Sequence, residues 1–367
     1  MSLQCGIVGL PNVGKSTLFS ALTHTQVLTD TYPFTTVDPN MGIVTVPDDR
    51  LTKMAEILNP EKILPTSIRF VDIAGLIEGS HRGEGLGNQF LAQVREVDAI
   101  VHLVRCFTND KVAHISDTLD ATRDIGIVET EIMLKDIETV SHRLENLARK
   151  VKVGDKEAAK EKEILDTVSE NLNRGLPVRN MVLERKDRET LRDLFLLSAK
   201  PMLYVGNENE REATSHHHGR IAEKLRLWAS ENNERVLILS AALEQELAFL
   251  EDEGERQFFM EAWGLTSTGL ESLVGGAYDL LSLTTFFTTE SNHAQAWTVK
   301  QGTLAPQAAG TIHSDFETGF ISIETYRCDD LFAHGSESAL RENGLIHTHG
   351  RDYVIQDDDV VKFKFRS

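Results

Sequence analysis

"GIVGLPNVGKSTL", Gly6–Leu18, decides the fold. The apolar run ending in glycine reads as a strand, and "KSTLFSALTHT" behind it carries helical spacing. Between them, Gly9-Leu-Pro-Asn-Val-Gly14-Lys15-Ser16 matches G-x-x-x-x-G-K-[ST]. With a strand before it and a helix after it, the pattern describes a phosphate cradle. Its glycines let backbone N–H groups curl around phosphates, and the helix N-terminus adds partial positive charge. In such a cradle Lys15 reaches the terminal phosphates and Ser16 binds Mg²⁺. A GTP switch, an ATP switch and a kinase can all begin this way.

Strand and helix go on alternating downstream. "SIRFVDIAGL" is a strand ending in Asp and Gly, "GLGNQFLAQVREV" a helix and "DAIVHLVRCF" a buried strand. The alternation resumes at "PMLYVGN", "HGRIAEKLRLWASEN" and "RVLILSAAL". This is an α/β pattern: a parallel sheet with helices on both faces, interrupted once. The interruption, from about 119 to 199, reads as helix. Met133, Ile137, Val140, Leu144, Leu147 and Val151 step by fours and threes, as in a coiled-coil seam. "VKVGDKEA" is a turn, and Leu165, Val168 and Leu172 continue the seam on a returning helix. A projecting two-helix arm is expected; a helical subdomain packed on the core is the plainer alternative. From about Leu281 the chain changes to short β segments, "TTFFTT", "AQAWTVK", "GFISIETY", "DYVIQ" and "VVKFKF", with a helix near "SESALREN". That is a separate α+β domain, dividing the chain into 1–280 and 281–366.

Composition narrows the class. With 367 residues, 41% hydrophobic and 26% charged, the chain can bury more than one core. A net charge of −19 argues against whole-surface attraction to nucleic acid or anionic lipid, so any RNA partner needs a local basic face. Cys5, Cys106 and Cys328 lie far apart and suggest neither a zinc site nor a disulfide framework. No apolar run reaches the roughly eighteen residues of a membrane span, and no signal pattern opens the chain. A reducing cytoplasm is the expected home.

Other segments fit the phosphate cradle. "DIAG", Asp72–Gly75, ends a strand about sixty residues after it, where Asp72 would sit near Mg²⁺ and Gly75 would offer its N–H to a γ-phosphate. In "TYPFTTVDPNMG" a threonine would close over the metal; of Thr35 and Thr36, the choice is Thr36. Leu76 stands where a Ras-like switch has the glutamine that orients water. A leucine has no group to do this, so turnover is slow or a polar group comes from elsewhere. His114, on the polar loop "RCFTNDKVAHISD", is the catalytic candidate, and it reads equally well as a surface histidine. Asn12 could coordinate a monovalent cation or simply shape the loop.

The base is read further on. A GTP switch uses N-K-x-D, whose aspartate accepts from guanine's ring N–H and exocyclic amine. Here "YVGNENE" keeps Asn207 but puts Glu208 for the lysine and Glu210 for the aspartate. A glutamate is one methylene longer and overshoots the guanine edge, whereas Asn207 can still serve adenine's N7 and N6 amine. "SAA", Ser240 to Ala242, fits the loop behind the base. Adenine is the preferred reading, with relaxed specificity its competitor.

Taken together, these residues resemble the YchF family of Obg-like ATPases over nearly the whole chain. "GLPNVGKST", "YPFTTVDPNMG", "DIAGL", "DAIVHLVRCF" and "NENE" carry the resemblance to its OBG-type G domain. "QGTLAPQAAGTIHSDFETGF" and "GRDYVIQDDDVVKFKF" resemble its C-terminal TGS domain. The resemblance implies a ubiquitin-like β-grasp for that domain, and slow ATP hydrolysis with Mg²⁺ and potassium. It also implies association with ribosomes; a monomer meeting the large subunit, with no membrane and no sequence-specific nucleic acid, is the expected state. By position it gives Asn12, Val13, Gly14, Lys15, Ser16 and Thr17 to the phosphates, Ser16 and Thr36 to Mg²⁺, and Asn207 with Glu208 to the base. "EREATSHHHGR" is unusual for the family, and "FMEAWGL" and "TTESNHAQAWTV" differ modestly from its pattern. Within the first, His216 to His218 could hold a metal or simply be solvated. Lys362, Lys364 and Arg366 are candidates for a basic docking surface. A GTP switch with degraded base reading, a nucleotide-gated module without turnover and, last, a kinase are the competing functions.

Overall fold

A computed structural model describes residues 3–24, 40–73, 86–109, 112, 118–215, 218–290 and 292–366, and counts and absences refer to these described residues. Thr35, Thr36, Gly75, Leu76, His114, His216 and His217 lie outside them. The strands in chain order are β1 (Gln4–Val8), β2 (Met41–Thr45), β3 (Lys62–Leu64), β4 (Ser67–Asp72), β5 (Ala99–Arg105) and β6 (Met202–Asn207), then β7 (Arg235–Leu239), β8 (Leu283–Thr288), β9 (His293–Lys300), β10 (Phe320–Arg327), β11 (His347–His349) and β12 (Asp359–Phe365). They form two six-stranded sheets, and the chain divides into two compact units.

The first sheet runs β2-β4-β1-β5-β6-β7. β1 pairs in parallel with both β4 and β5, and β5–β6 and β6–β7 are parallel as well. Every residue of β5 and β6 is buried, as strands covered on both faces must be, which is why they read as mainly apolar without alternation. From β1 the chain builds outward to one side through β4 and to the other through β5, β6 and β7. The carboxyl ends flanking that reversal are where open α/β sheets bind ligands.

The insertion consists of two long helices, Ala121–Lys152 and Lys156–Asn173. Each begins at an aspartate cap: Asp120 accepts from Thr122 and Arg123 N–H at 3.1 and 3.2 Å, and Asp155 from Glu157 and Ala158 N–H at 3.0 and 3.1 Å. Gly154, at φ +87°, makes the reversal. Met133, Val140 and Leu147 meet Leu165, Val168 and Leu172 in one buried cluster, with Ile137, Leu144 and Val151 packed against it. Arg143 adds a two-pronged bond to Glu161 across the helices, at 2.6 and 3.0 Å. The first half of the long helix instead buries Ile125, Val128 and Ile132 toward β5 and the helix Arg220–Glu231.

The second unit contains residues 43–68 together with 274–366. Its sheet runs β11-β10-β12-β8-β9-β3, with β8–β9 antiparallel, β12 parallel to β8 and β10 antiparallel to β12. A last strand inserted beside the first is the β-grasp arrangement. The helix Ala305–Ile312 covers one apolar cluster, around Phe286, Phe320 and Phe363. A second cluster takes Leu51 and Met54 from the helix Asp49–Leu58. The helix Asp49–Leu58 and β3 are thus grouped with the C-terminal chain in this unit. "DYVIQ" also differs from expectation: only Val354 makes a lone bridge, to Leu304, while β11 takes the edge beside β10. The Tyr353 ring stacks on His349 at 4.1 Å and its hydroxyl donates to Asp359, leaving this segment in a turn.

Candidate functional site

At the end of β1 the chain turns tightly because it has no room to do otherwise. A Cβ on Gly9 would come within 2.6 Å of the Leu103 carbonyl oxygen. Asn12 and Gly14 sit at φ +64° and +97°, the left-handed backbone that lets successive N–H groups face inward. The helix Lys15–His24 then begins, anchored by buried Leu18, Ala21 and Leu22. Val13 is buried, Ser16 exposed and Thr17 half-buried.

Lys15 Nζ donates to Asp72 Oδ1 at 2.6 Å, joining the loop after β1 to the end of β4. The pair is shielded but not sealed, with 13% and 18% of the two side chains exposed. A cation and a carboxylate held together at a helix N-terminus are the groups that a phosphate and its metal would separate. Ser16 offers a hydroxyl beside them, so the donor set of hydroxyl and carboxylate oxygen suits a hard cation such as Mg²⁺.

Asn207, at the end of β6, ties three loops together. Its Nδ2 donates to the Val13 carbonyl at 2.8 Å and its Oδ1 accepts from Ala241 N–H at 2.9 Å. Asn207 packs so closely that a Cβ on Gly14 would lie 2.3 Å from its Nδ2. One hydrogen and one lone pair are left on this buried amide. Ser240, also buried, caps the helix Ala241–Ala248 by accepting from Leu243 N–H at 3.4 Å.

Glu208 departs from expectation. Its side chain is 1% exposed and turned inward: Oε1 lies 2.8 Å from His218 Nδ1, and Oε2 accepts from Gly219 N–H at 3.2 Å. Its carboxylate locks the 218–219 turn and has none of the solvent-facing stem that a lysine would lay over a base. His218 is thus paired with a carboxylate; among the described residues, which leave out His216 and His217, no group of His, Cys, Asp and Glu is placed to hold a metal. Asn209 caps the short helix Glu210–Ala213 by accepting from Glu212 N–H at 2.9 Å. Glu210, its first residue, is exposed.

Sequence reasoning missed Arg105. It ends the buried strand β5 and holds the following loop by donating to Phe107 O at 3.1 Å, Val112 O at 3.2 Å and Asn109 O at 3.4 Å. Its guanidinium lies over the Phe107 ring at 4.5 Å, and burial lowers its pKa, opposed by Asp124. An arginine ending a buried, mainly apolar strand was the available signal. The loop it organises is the one that continues toward His114.

Known proteins agree with this architecture. A family model described as a 50S ribosome-binding GTPase matches residues 4–152, and the YchF-GTPase C-terminal model, described as a protein of unknown function, matches 283–366. A Bacillus subtilis protein named ribosome-binding ATPase YchF is 44% identical over 365 residues, covering 100% of both chains. An Escherichia coli O157:H7 protein of the same name is 41% identical, covering 100% of this chain and 99% of its own. The solved structure of the Schizosaccharomyces pombe YchF GTPase superposes with a TM-score of 0.90 at 34% identity, covering 99% of this chain and 98% of its own. A glycine-lined loop and lysine at the end of β1 and full-length likeness to these relatives lead to one conclusion: the chain belongs to the YchF family.

Proposed function

We propose that this chain is a slow ATP-hydrolysing switch whose nucleotide state controls its binding to ribosomes. Its relatives are named ATPase in two cases and GTPase in the third, so names alone do not choose the base. The loop 207–210 favours ATP. Glu208 is sequestered by His218 and Gly219, and Glu210 projects from a helix start into solvent, so neither fixes a carboxylate against the guanine edge. Guanine would then leave its two donors unmatched, which costs more than a missing apolar contact. The remaining hydrogen and lone pair of Asn207 suit adenine, with Ser240 and Ala241 behind the base.

In this reading Asn12 to Thr17 wrap the phosphates, and Lys15 exchanges Asp72 for a phosphate oxygen. Mg²⁺ would be held by Ser16 and Thr36 with Asp72 near it, and when bound it neutralises developing phosphate charge. Gly75 would give its N–H to the γ-phosphate, Asn12 would help seat a potassium ion, and His114 would position water in place of the missing glutamine. The reading places the chain in the cytoplasm, as a monomer docking on the large ribosomal subunit. Lys362 and Lys364 stay about half exposed beside Glu290 and Glu324, in surface pairs weak enough for a phosphate backbone to exchange, so with Arg366 they are the candidates for that docking. No described helix is long and apolar enough to cross a membrane.

Co-sedimentation with purified 70S ribosomes, with ADP or a non-hydrolysable ATP analogue, tests the switch. The retained fraction should differ several-fold between the nucleotides, and phosphate release should rise on adding ribosomes. Equal retention and background release would leave only a nucleotide-binding module.

A further inference from the structure

The segment "FMEAWGL", part of a stretch the nucleotide chemistry does not use, lies on the surface of the first unit. In the helix Glu253–Ala262, no described side chain is buried. Phe258 is 66% exposed and Phe259 37%, and Phe249, just before the helix, is 49% exposed. The rings cluster: Phe258 meets Phe259 edge-on at 5.9 Å, and Phe259 meets Trp263 at 5.3 Å. Aromatic side chains gathered in solvent forgo much of their burial energy, and such patches mark contact surfaces.

The charges around the rings identify the partner. From Glu244 to Glu261 the chain has seven acidic residues and one basic one. Glu246, Glu251, Asp252, Glu255 and Glu261 are exposed. The one basic residue, Arg256, is half-buried and acts on Glu244, whose carboxylate faces inward to accept from Gly269 and Leu270 N–H at 2.7 and 3.0 Å. The outward face is thus aromatic within an acidic rim. Nucleic-acid phosphates and anionic lipid headgroups would be repelled, and a second copy would bring the same charges against its own. A lysine- or arginine-rich segment would gain both from the rim and from cations over the rings.

We propose that this helix is a docking surface for a basic, amphipathic protein segment. The surface is tied to the phosphate loop. The Phe249 ring stacks at 3.7 Å on His24, the last residue of the helix that starts at Lys15. The preceding helix, Ala241–Ala248, starts at the residue bonded to Asn207.

The test is fluorescence polarisation of a labelled synthetic helical peptide with one leucine face and one lysine face, titrated with the full chain. Hydrogen exchange on the same complex locates the contact. Wild-type protein should bind in a salt-sensitive manner and gain protection at 249–263. Either Phe258→Ser with Phe259→Ser, or Glu251→Lys with Glu255→Lys, should weaken binding at least about tenfold. Equal charge reversal on the arm, Glu157→Lys with Glu163→Lys, should leave it unchanged. Wild-type affinity in the Phe258/Phe259 variant, equal loss in the arm variant, or protection confined elsewhere would overturn the proposal. So would tighter binding of a single-stranded RNA oligonucleotide at 249–263, or a dimer abolished by the Phe258/Phe259 variant.

Discussion

Asn207 shows how little freedom a single side chain in this site has. One amide spans the phosphate loop and the loop after β7, so its truncation unties both at once. Asn207→Ala should weaken ATP binding by about 1.5–3 kcal/mol, or roughly ten- to a hundred-fold, in a calorimetric titration, with the fold intact by circular dichroism. Restoring the guanine-reading letters tests the neighbouring positions. Glu208→Lys together with Glu210→Asp should raise GTP affinity about tenfold or more, and no gain would mean that another element reads the base. His102, buried on β5, makes a further residue-scale prediction. Burial pushes its pKa down to about 4, with Glu129 pulling it up and Arg179 pushing it down. Its unfolded value is near 6.5, so the unfolded chain binds more protons between those pH values. Its contribution is therefore complete above about pH 6.5 and is lost as pH falls toward 4, by up to about 3 kcal/mol. Denaturant melts of wild type and His102→Gln over that range should show a shallower acid-side slope in the variant. The turn after β1 was legible at this scale because Gly14 takes a left-handed backbone and Lys15 meets Asp72, features that spacing and charge announce. The inward turn of Glu208 was not, because its partner His218 stood in a run of histidines that gave no sign of direction.

Elements carry the next level of design. The arm's seam was readable because apolar residues at steps of three and four can meet only one facing helix, and Leu165 lies fully buried within it. Leu165→Ala should cost about 2–5 kcal/mol of stability, read as a lowered denaturation midpoint. Asp136 closes the insertion from within: its carboxylate accepts from Leu197 and Ser198 N–H at 2.8 and 2.7 Å, joining the first long helix to the chain's return. Burial raises its pKa, against the pull of the Ser198 and Leu197 bonds. Asp136→Ala should lose about 2–4 kcal/mol, since two buried N–H groups would be left unmatched. Short β segments were harder to place. "DYVIQ" has a strand's composition, but the stacking of Tyr353 on His349 and the bonds to Asp359 outweigh its propensity. β11 has only three residues and no apolar alternation to reveal it.

On the scale of the whole molecule, a pairing distant in sequence was the least legible feature. β3 joins β9 in parallel, Lys62 opposite His293, and brings residues 43–68 into the unit built mainly by the C-terminal chain. Nothing local in "EKILPTS" indicates a partner more than two hundred residues away. Charge, by contrast, could be read from the start: at −19, the molecule can approach RNA only through local features. The central claim is that the triphosphate grip is intact while the guanine-reading edge is lost, and parallel calorimetric titrations of the wild-type chain with ATP and GTP in Mg²⁺ and potassium test it most directly. ATP should bind more tightly, by about tenfold or more; equal affinities, or tighter binding of GTP, would show that the guanine edge is still read.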